Sequence, residues 1–343
     1  MDHELASDQT GHRHRVAVDE VEQLYASFGQ RKPMGHSSSD PSTPHFFLLR
    51  WFLSELDLLL ILNTKRCRFL CQFCNLPAKC SSAFVPNQDV VQQFLFACRE
   101  VKHSLSVLDR VTLSNEGSVL DFATIPREAI FTIVSAVSTI RSVRTLVLET
   151  RVEFVVPAFL RDLRRDVRHV HFDILTGFET RDERIRNELL VKGETIAQFE
   201  TGLDNVASAG AALTCYVLYK PDPKMSDAEA YEEAESSIAY LVEQTKSRNI
   251  PLTIRLNPMY AASGTPWADA ARRFGGFLPP RLTDILALAQ RVREEGIAIY
   301  LGLSSEGLAD SEGSYMVRED FSRKLLRKAK EFNRNPSRGD QVP

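Results

Sequence analysis

The chain has 343 residues, 43% of them apolar and 25% charged, and its 42 basic and 45 acidic side chains leave a net charge of -3. This balance is typical of a folded globular protein and excludes a general polycation, so any nucleic-acid site would be a local basic patch. The 16 glycines and 16 prolines exclude a collagen-like or low-complexity protein.

Neither a membrane span nor a secretory signal is evident. The most apolar stretch, residues 46–62, is interrupted by Arg50, Glu55 and Asp57 and lacks the run of about 18 apolar residues that a membrane span needs. Residues 1–15 contain no apolar segment of the kind found in secretory signals. We therefore expect a cytoplasmic protein without a membrane partner.

From residue 56 onward, short apolar segments alternate with longer amphipathic ones. The predicted strands are 58–62, 111–113, 145–148, 170–175, 213–218, 252–256 and 298–303. The predicted helices are 90–105, a helix that opens at Pro126, 195–209, 227–246 and 281–294. This alternation is typical of parallel strands joined by helical crossovers, in a sheet that could curl into a full or partial barrel. Functional residues are then expected at the C-terminal ends of the strands.

The ends of the chain differ from its centre. Residues 1–45 are polar and are predicted to form an N-terminal extension, residues 46–310 to form the α/β domain, and residues 311–343 to form a C-terminal helix and tail. The helix, at about residues 319–333, is the most basic stretch of the chain. A solvated helix face explains these charges, and contact with RNA or an acidic partner is the alternative.

Three cysteines lie on one short loop directly after the first predicted parallel strand. Cys67, Cys71 and Cys74 have Cys-x3-Cys-x2-Cys spacing, with Phe73 immediately before the third cysteine. Three thiolates can hold three irons of a [4Fe–4S] cluster and leave the fourth iron open to a substrate. Two alternatives remain: Cys80 as a fourth ligand of an electron-transfer cluster, and a zinc site, although structural zinc sites usually have two pairs of ligands.

This motif, at this position, resembles that of the radical SAM superfamily. The resemblance implies an α/β fold with a partial (β/α)6 barrel of parallel strands. It also implies that Cys67, Cys71 and Cys74 bind a [4Fe–4S] cluster whose open iron binds S-adenosylmethionine (SAM). In that superfamily the reduced cluster cleaves SAM to a 5′-deoxyadenosyl radical, which abstracts hydrogen from the substrate. A flavodoxin or ferredoxin would supply the electron.

The strand ends are similar to those of the elongator-subunit/MiaB/NifB type of radical SAM domain, and most similar to the archaeosine-biosynthesis subfamily. The matching elements share a position after a predicted strand. They are Gly-Ser at 117–118, Glu-Thr-Arg-Val-Glu at 149–153, Lys-Gly-Glu-Thr at 192–195, Tyr-Val-Leu-Tyr-Lys-Pro at 216–221 and Asn-Pro at 257–258. Ser-Asn-Glu-Gly at 114–117 stands where radical SAM proteins often have Gly-Gly-Glu-Pro. Val152 stands where the subfamily has proline.

The resemblance assigns further residues of these strand ends to the binding of SAM. Those residues are Phe73, Ser114, Asn115, Glu116, Gly117, Glu149, Arg151, Glu179, Thr180 and Asn257. It implies that residues 114–117 hold the methionine amino group, that Glu149 and Arg151 face the ribose and the carboxylate, and that Asn257 and the Phe73 backbone lie at the adenine. A structural salt bridge or a loop cap is the alternative for each of these side chains.

The substrate stays open at this stage. The subfamily resemblance implies a modified, deazaguanine-type nucleoside or tRNA base in which a C–N bond is cleaved, with RNA delivered by a partner protein. A radical SAM enzyme of a small-molecule pathway is one alternative. A non-enzymatic iron–sulfur protein for electron transfer is another, and Cys80 distinguishes it, because such a cluster needs a fourth protein ligand.

Overall fold

The computed structural model describes residues 40–69, 71–76, 80–262, 264–274, 277–303, 313–315 and 323–334. Most of the predicted N-terminal extension, up to residue 39, lies outside these ranges, as does the tail after residue 334. The predicted division of the chain at residues 45 and 310 stays a prediction.

The described chain contains ten strands, seven of them at predicted positions. They are β1 (Phe46–Phe52), β2 (Glu55–Ile61), β3 (Arg110–Ser114), β4 (Thr145–Glu149), β5 (His171–Glu179), β6 (Ala212–Tyr219), β7 (Leu252–Pro258), β8 (Tyr260–Ala262), β9 (Ala298–Leu301) and β10 (Gly313–Tyr315). The main sheet has the order β1-β2-β3-β4-β5-β6-β7-β9, and every pair from β2 onward is parallel. β1 pairs with β2 in an antiparallel hairpin, and β8 pairs with β10 separately.

Helices connect the parallel strands, as the alternating pattern predicted. They are α1 (Asn87–Glu100), α2 (Arg127–Ser138), α3 (Pro157–Asp166), α4 (Ile196–Ser208), α5 (Asp227–Ser247), α6 (Pro266–Phe274), α7 (Leu282–Glu294) and α8 (Arg323–Arg334). Capping boxes at Thr195 and Ser226 define where α4 and α5 begin, because each side chain accepts a hydrogen bond from a backbone N–H of the first turn. No helix in the described part of the chain is long and apolar enough to cross a membrane.

Each parallel strand has an apolar face and a more polar face. Leu213, Cys215 and Val217 of β6 belong to the main hydrophobic core between the sheet and its helices. Thr214 and Tyr216, which alternate with them, face the inside of the curled sheet. Parallel strands that are buried on both faces usually read as continuous apolar runs. The polar inner face therefore identifies the interior of this half-barrel as a functional region.

Ion pairs close the floor of the half-barrel, at the N-terminal ends of the strands. The Arg110 guanidinium lies 3.0 Å from Glu55 Oε2 and 2.7 Å from Asp173 Oδ2. Asp57 accepts hydrogen bonds from Arg50 Nε and Thr112 Oγ1, each at 2.9 Å. A fixed charge is tolerated at such depth only when it is paired in this way. The opposite end, where the strands terminate, is consequently the open end.

Helix α8 covers the edge of the sheet at β9. The Asn333 side chain donates to Leu301 O and accepts from Leu301 N, both at 2.8 Å, and so it replaces a neighbouring strand. Phe52 at the end of β1 stacks on Tyr300 of β9 with ring centroids 4.5 Å apart. The curl therefore brings the two edges of the sheet together, and α8 contacts both.

The predicted strands and helices are confirmed, and the predicted C-terminal helix is present as α8. β1, β8, β10, α3 and α6 were not predicted. Residues 46–62 looked like one apolar stretch because the β1–β2 turn contains neither glycine nor asparagine; instead Leu53 adopts φ 53°. Charged residues on this hairpin are few, Arg50 on β1 and Glu55 and Asp57 on β2, and apolar residues also occur on the same face as these charges. The alternation that marks a hairpin is therefore weak.

Replacing Asn333 with alanine should destabilise the fold. The substitution removes both hydrogen bonds to Leu301 and leaves the edge of β9 without this partner. We expect the free energy of unfolding, measured by urea titration, to fall by about 2 kcal/mol. Lys330→Ala, on the exposed side of the same helix, is the control and should change it little. Equal effects of the two substitutions would contradict this role of Asn333.

Candidate active site

A cavity of about 290 Å³ opens at the C-terminal ends of the strands. Its walls come from the cysteine loop after β2 and from the ends of β2 to β7. Eleven of the residues singled out in the sequence line it: Cys67, Cys71, Phe73, Cys74, Ser114, Glu116, Gly117, Glu149, Arg151, Glu179 and Asn257. Asn115 and Thr180 do not. The structure thus brings most of the predicted residues to one place.

The cysteine loop is held on both sides by backbone hydrogen bonds. Gln72 N donates to Leu190 O at 2.8 Å, and Trp267 N of α6 donates to Gln72 O at 3.1 Å. The Trp267 indole is buried and donates to Pro221 O. Within the loop, Cys74 N donates to Cys71 O at 3.0 Å, which forms a tight turn. The positions of the thiols are therefore set by the protein before any ligand binds.

The loop after β3 lies directly against the first cysteine. A Cβ on Gly117 would come 3.1 Å from Cys67 Cβ, so glycine allows this close approach. Asn115 supports the loop from behind: its Nδ2 donates to Thr64 Oγ1 at 3.1 Å and to Ser118 O at 3.4 Å. Asn115 is therefore placed as a loop support, whereas Glu116 and Gly117 form the cavity wall.

The three thiols suit a cluster better than a single ion. Burial raises the pKa of Cys67 to about 11, and burial also raises the pKa of Cys71 and Cys74. Binding of iron would displace these protons, because the thiolate is the ligand. Among the described residues, no three His, Cys, Asp or Glu side chains are grouped as ligands of one ion. Three thiols of one loop that line the same cavity can each bind a different iron of a four-iron cluster.

Cys80 lies behind this wall and does not line the cavity. Its Sγ is 3.5 Å from Glu116 Oε2 and 3.8 Å from Asn115 O, and the residue is 2% exposed. Burial and the neighbouring Glu116 carboxylate raise the pKa of this thiol well above its usual value. Its surroundings are those of a protonated core thiol that donates to Glu116, not of a fourth cluster ligand.

Arg151 joins the cysteine loop to the segment after β5. Its guanidinium carbon lies 3.9 Å from the centroid of the Phe69 ring. Nη1 donates to Lys192 O at 2.8 Å, and Nε donates to Glu153 at 2.6 Å. Arg151 thus fixes two walls of the cavity, in addition to facing it.

Glu179 and Lys192 form an ion pair on the cavity wall, with Oε1 and Nζ 3.7 Å apart. Burial raises the pKa of Glu179, and the Lys192 ammonium opposes that rise. A Cβ on Gly177 would come 1.9 Å from Glu179 Oε1, so the absence of a side chain at position 177 lets the carboxylate lie there. Thr180, one residue on, turns away: it donates to Glu233 and accepts from Asp182 N at 3.0 Å, as a loop cap.

Asn257 offers a hydrogen-bond acceptor at the cavity. Its Oδ1 is buried and has no hydrogen-bond partner among the residues that the structure describes. The side chain packs over Gly302, where a Cβ would come 1.8 Å from this oxygen. A ligand that donates a hydrogen bond, such as an amino group on a heterocycle, would satisfy it.

Sequence reasoning did not assign Phe69, Lys192, Arg255 or Tyr260 to the cavity, and it named Tyr216 only as part of the strand-end element at 216–221. All of them line it. The inward positions of β6 and β7 held the signal for two of them, because Tyr216 and Arg255 are paired neighbours that interrupt the apolar alternation. Phe69 and Lys192 lie on loops, where no regular pattern of apolar residues indicates the direction of a side chain.

Comparison with known proteins identifies several chains of similar sequence. No protein-family profile matches the chain. An uncharacterised protein of Methanocaldococcus jannaschii is 23% identical over 277 residues, covering 79% of this chain and 74% of that protein. A Thermococcus kodakarensis protein named archaeosine synthase subunit beta is 28% identical over 42% of this chain and 44% of its own length. A Methanosarcina acetivorans protein of that name is 23% identical over 65% of this chain and 62% of its own length.

Solved structures with a similar fold include two enzymes. Streptococcus suis SuiB bound to S-adenosylmethionine has a TM-score of 0.49 and 13% identity, over 74% of this chain and 52% of SuiB. Methylornithine synthase has a TM-score of 0.46 and 14% identity, over 95% of this chain and 93% of its own. Likeness at these identities concerns the fold alone.

The cysteine motif and the strand ends predicted a resemblance to the archaeosine-biosynthesis subfamily. This prediction is confirmed, because two relatives carry the name archaeosine synthase subunit beta. The predicted α/β half-barrel of parallel strands is confirmed by the sheet itself. The prediction of an enzyme agrees with the name archaeosine synthase that two relatives carry. The predicted SAM and [4Fe–4S] cluster are part of the function proposed for the chain.

Cys80→Ala should leave the iron content unchanged, because this thiol faces Glu116 and not the cavity. Cys74→Ala should abolish cluster binding, because it removes one of the three thiols on the cavity wall. Iron and sulfide analysis and visible absorption of anaerobically reconstituted protein would measure both. A loss of iron in Cys80→Ala as large as in Cys74→Ala would contradict this placement and restore the four-cysteine alternative.

Proposed function

We propose that this chain, which resembles the radical SAM superfamily in its cysteine motif and its curled parallel sheet, is a radical SAM enzyme. The observation that carries the proposal is the common cavity of Cys67, Cys71 and Cys74, from which Cys80 is excluded. Three ligands for a four-iron cluster leave one iron for a small molecule, whereas an electron-transfer cluster needs all four irons bound by protein.

The chain's own residues would hold two cofactors. Cys67, Cys71 and Cys74 would bind the [4Fe–4S] cluster. SAM would lie between this loop and the strand ends that carry Glu116, Glu149 and Asn257. The cofactors would supply the reductive cleavage of SAM to a 5′-deoxyadenosyl radical that abstracts hydrogen from the substrate.

The protein would contribute orientation and the exclusion of water. Glu116 and Glu149 place carboxylates on the wall where an amino group or a ribose could donate to them. Asn257 Oδ1 offers an acceptor for the adenine amino group. Helix α6 packs Trp267 against the cysteine loop and shields one side of it from solvent, which protects reactive species from side reactions.

The substrate class that we propose is a modified, deazaguanine-type nucleoside, free or in tRNA, in which hydrogen abstraction leads to cleavage of a C–N bond. Two relatives named archaeosine synthase subunit beta support it. The chain matches less than two thirds of each of these two relatives, so their activity passes to it only as a proposal. The alternative is the same radical chemistry on a small molecule of a biosynthetic pathway.

The same chemistry leads us to propose partner molecules and a cellular location for the protein. A flavodoxin or ferredoxin would reduce the cluster, and RNA would reach the cavity through a partner protein. The name "subunit beta" of the two relatives supports a multi-subunit enzyme. The cytoplasm remains the proposed location, because a reducing compartment preserves thiolate ligands.

Anaerobic assay of the reconstituted protein tests the proposed class. With dithionite and SAM, the wild type should form 5′-deoxyadenosine, and Cys71→Ala should not, because it lacks one cluster ligand. Product would be measured by liquid chromatography and mass spectrometry. A fully loaded cluster that gives no 5′-deoxyadenosine, and whose EPR signal SAM does not perturb, would contradict the proposal and favour electron transfer.

Gly302→Ala should weaken the binding of SAM through Asn257. The new Cβ would displace Asn257 Oδ1, so the acceptor proposed for the adenine would move. We expect both Gly302→Ala and Asn257→Ala to raise the Kd of SAM about fivefold to tenfold, the loss of roughly one hydrogen bond.

A double-mutant cycle is the control for this prediction. If Gly302→Ala acts only through Asn257, adding it to Asn257→Ala should have no further effect. An additive effect of the two substitutions would show that Gly302→Ala does not act through Asn257. An unchanged Kd in Asn257→Ala would show that Asn257 does not bind SAM.

A further inference from the structure

Helix α6 contacts the cysteine loop from outside the cavity. No residue of this helix lines the cavity, whereas Trp267 N donates to Gln72 O of the loop at 3.1 Å. Phe73, which directly precedes Cys74, packs against the same buried apolar cluster as Trp267. The cysteine loop is therefore reached from two directions, through the cavity and through the packed side chains beneath α6.

The apolar face of α6 continues onto the protein surface. Trp267 is buried, but Phe274, which follows it by two helical turns on the same face, is 47% exposed. Beyond the helix, Phe277 packs edge-on against Trp267 with ring centroids 5.6 Å apart, and the next residue, Leu278, is 58% exposed. Single apolar residues are ordinary on a surface, but these two extend a buried aromatic pair outward. They form an apolar patch that a partner can cover.

The segment that carries these apolar side chains is positively charged. Residues 270–283 contain Arg272, Arg273 and Arg281 and no aspartate or glutamate, in a chain whose net charge is -3. All three arginines are exposed. Among the described residues, a single carboxylate pairs with them, that of Asp269, which lies 3.0 Å from Arg272. The local charge therefore favours a partner with a negative surface.

The position of the patch favours an electron carrier over RNA. SAM and the substrate would occupy the cavity, so an electron carrier has to approach the cluster from another direction. Helix α6 offers that direction, because Trp267 and Phe73 join its surface to Cys74. RNA would instead have to bring a nucleotide into the cavity, which α6 does not line. Aromatic and arginine side chains together are also enriched in protein–protein interfaces, and electron-transfer complexes use small ones.

We infer that the surface formed by Phe274, Leu278 and the three arginines, here called the α6 patch, docks an acidic electron-carrier protein. The inference rests on the proposed function, because it takes the three cysteines of the loop to hold a cluster that needs an electron. One electron leaves the carrier, which is oxidised, and enters the cluster, which is reduced. The arginines would steer the carrier to this surface, and the apolar side chains would be covered by it.

Binding of a purified acidic flavodoxin tests the patch without any assay of SAM cleavage. Its Kd for the anaerobically reconstituted full-length protein would be measured by biolayer interferometry. Raising NaCl from about 50 to about 300 mM should weaken binding by the wild type at least about fivefold, because salt screens exposed charges. Arg272→Glu/Arg273→Glu should weaken binding at least about tenfold at the lower salt concentration, because it replaces attraction by repulsion.

Arg161→Glu/Arg165→Glu on α3 is the matched control. It also reverses two exposed arginines of one helix, and Arg165 pairs with Asp162 at the same i,i+3 spacing as Arg272 with Asp269. This variant should bind flavodoxin within about twofold of the wild type, because it lies outside the patch. Equal weakening in both double variants, an unchanged Kd in the α6 variant, or no binding by the wild type would overturn the inference.

Phe274→Ala tests the apolar part of the patch. This substitution keeps every charge and should weaken flavodoxin binding about threefold or more, because aromatic side chains are frequent hot spots of interfaces. The side chain is half exposed, so the fold should tolerate its loss. An unchanged Kd would overturn the assignment of Phe274 to the interface.

Reduction of the cluster gives a second readout. Flavodoxin hydroquinone should bleach the visible absorption of the cluster at least about fivefold more slowly in Arg272→Glu/Arg273→Glu than in the wild type. Dithionite, a small reductant that needs no docking surface, should reduce both proteins at the same rate. Equal slowing with dithionite would show damage to the cluster site and would overturn the inference.

RNA is the competing partner, and a preparation of mixed tRNA is its probe. If tRNA binds the wild type and loses affinity in Arg272→Glu/Arg273→Glu, while the Kd of flavodoxin stays unchanged, the inference is overturned and the patch belongs to RNA. Flavodoxin binding that depends on the patch, in a protein that never cleaves SAM, would retain the patch and reject the proposed function. Cleavage of SAM with dithionite, in a protein whose flavodoxin binding ignores the patch, would do the reverse.

Discussion

The interior of this half-barrel depends on the pairing of buried charges at its floor. Arg110 forms ion pairs with Glu55 and Asp173. Asp57 accepts hydrogen bonds from Arg50 and Thr112. These contacts join β1, β2, β3 and β5 at their base. Removing one partner would leave an uncompensated charge in the core, which costs far more than the pair contributes. Because the base is fixed in this way, the strand ends above it can carry polar groups whose partners are ligands.

The cysteine loop illustrates how that rigidity reaches the chemistry. Its neighbours are the turn after β3, the segment after β4 and helix α6, and each makes a specific contact: Gly117 against Cys67, Arg151 on Phe69, and Trp267 N to Gln72 O. Three independent parts of the fold thus determine where the thiols lie. Metal centres depend on such surroundings for their ligand geometry and for their exposure to water.

Much of the fold could be predicted because parallel strands and their crossover helices have distinct periods, and the cysteine spacing located the site. The direction in which individual side chains point could not be predicted. Asn115 and Thr180 sit in the expected elements, yet one supports a loop and the other caps one. Arg255 interrupts the apolar alternation of its strand, but the interruption alone does not show what the side chain faces; the structure shows that it lines the cavity. A loop's conformation depends on contacts distant in sequence, which a single sequence does not reveal.

The two hydrogen bonds between the Asn333 side chain and Leu301 of β9 have a consequence for folding during translation. The edge of β9 that α8 covers is synthesised about thirty residues before Asn333. Strand β1, which α8 also contacts, is among the first described segments of the chain. During translation the nascent sheet therefore presents an open edge, the feature that invites pairing with other chains. A chain that stops short of α8 would keep that edge exposed, so premature termination close to the end of the message should produce aggregation-prone protein even though every cysteine is present.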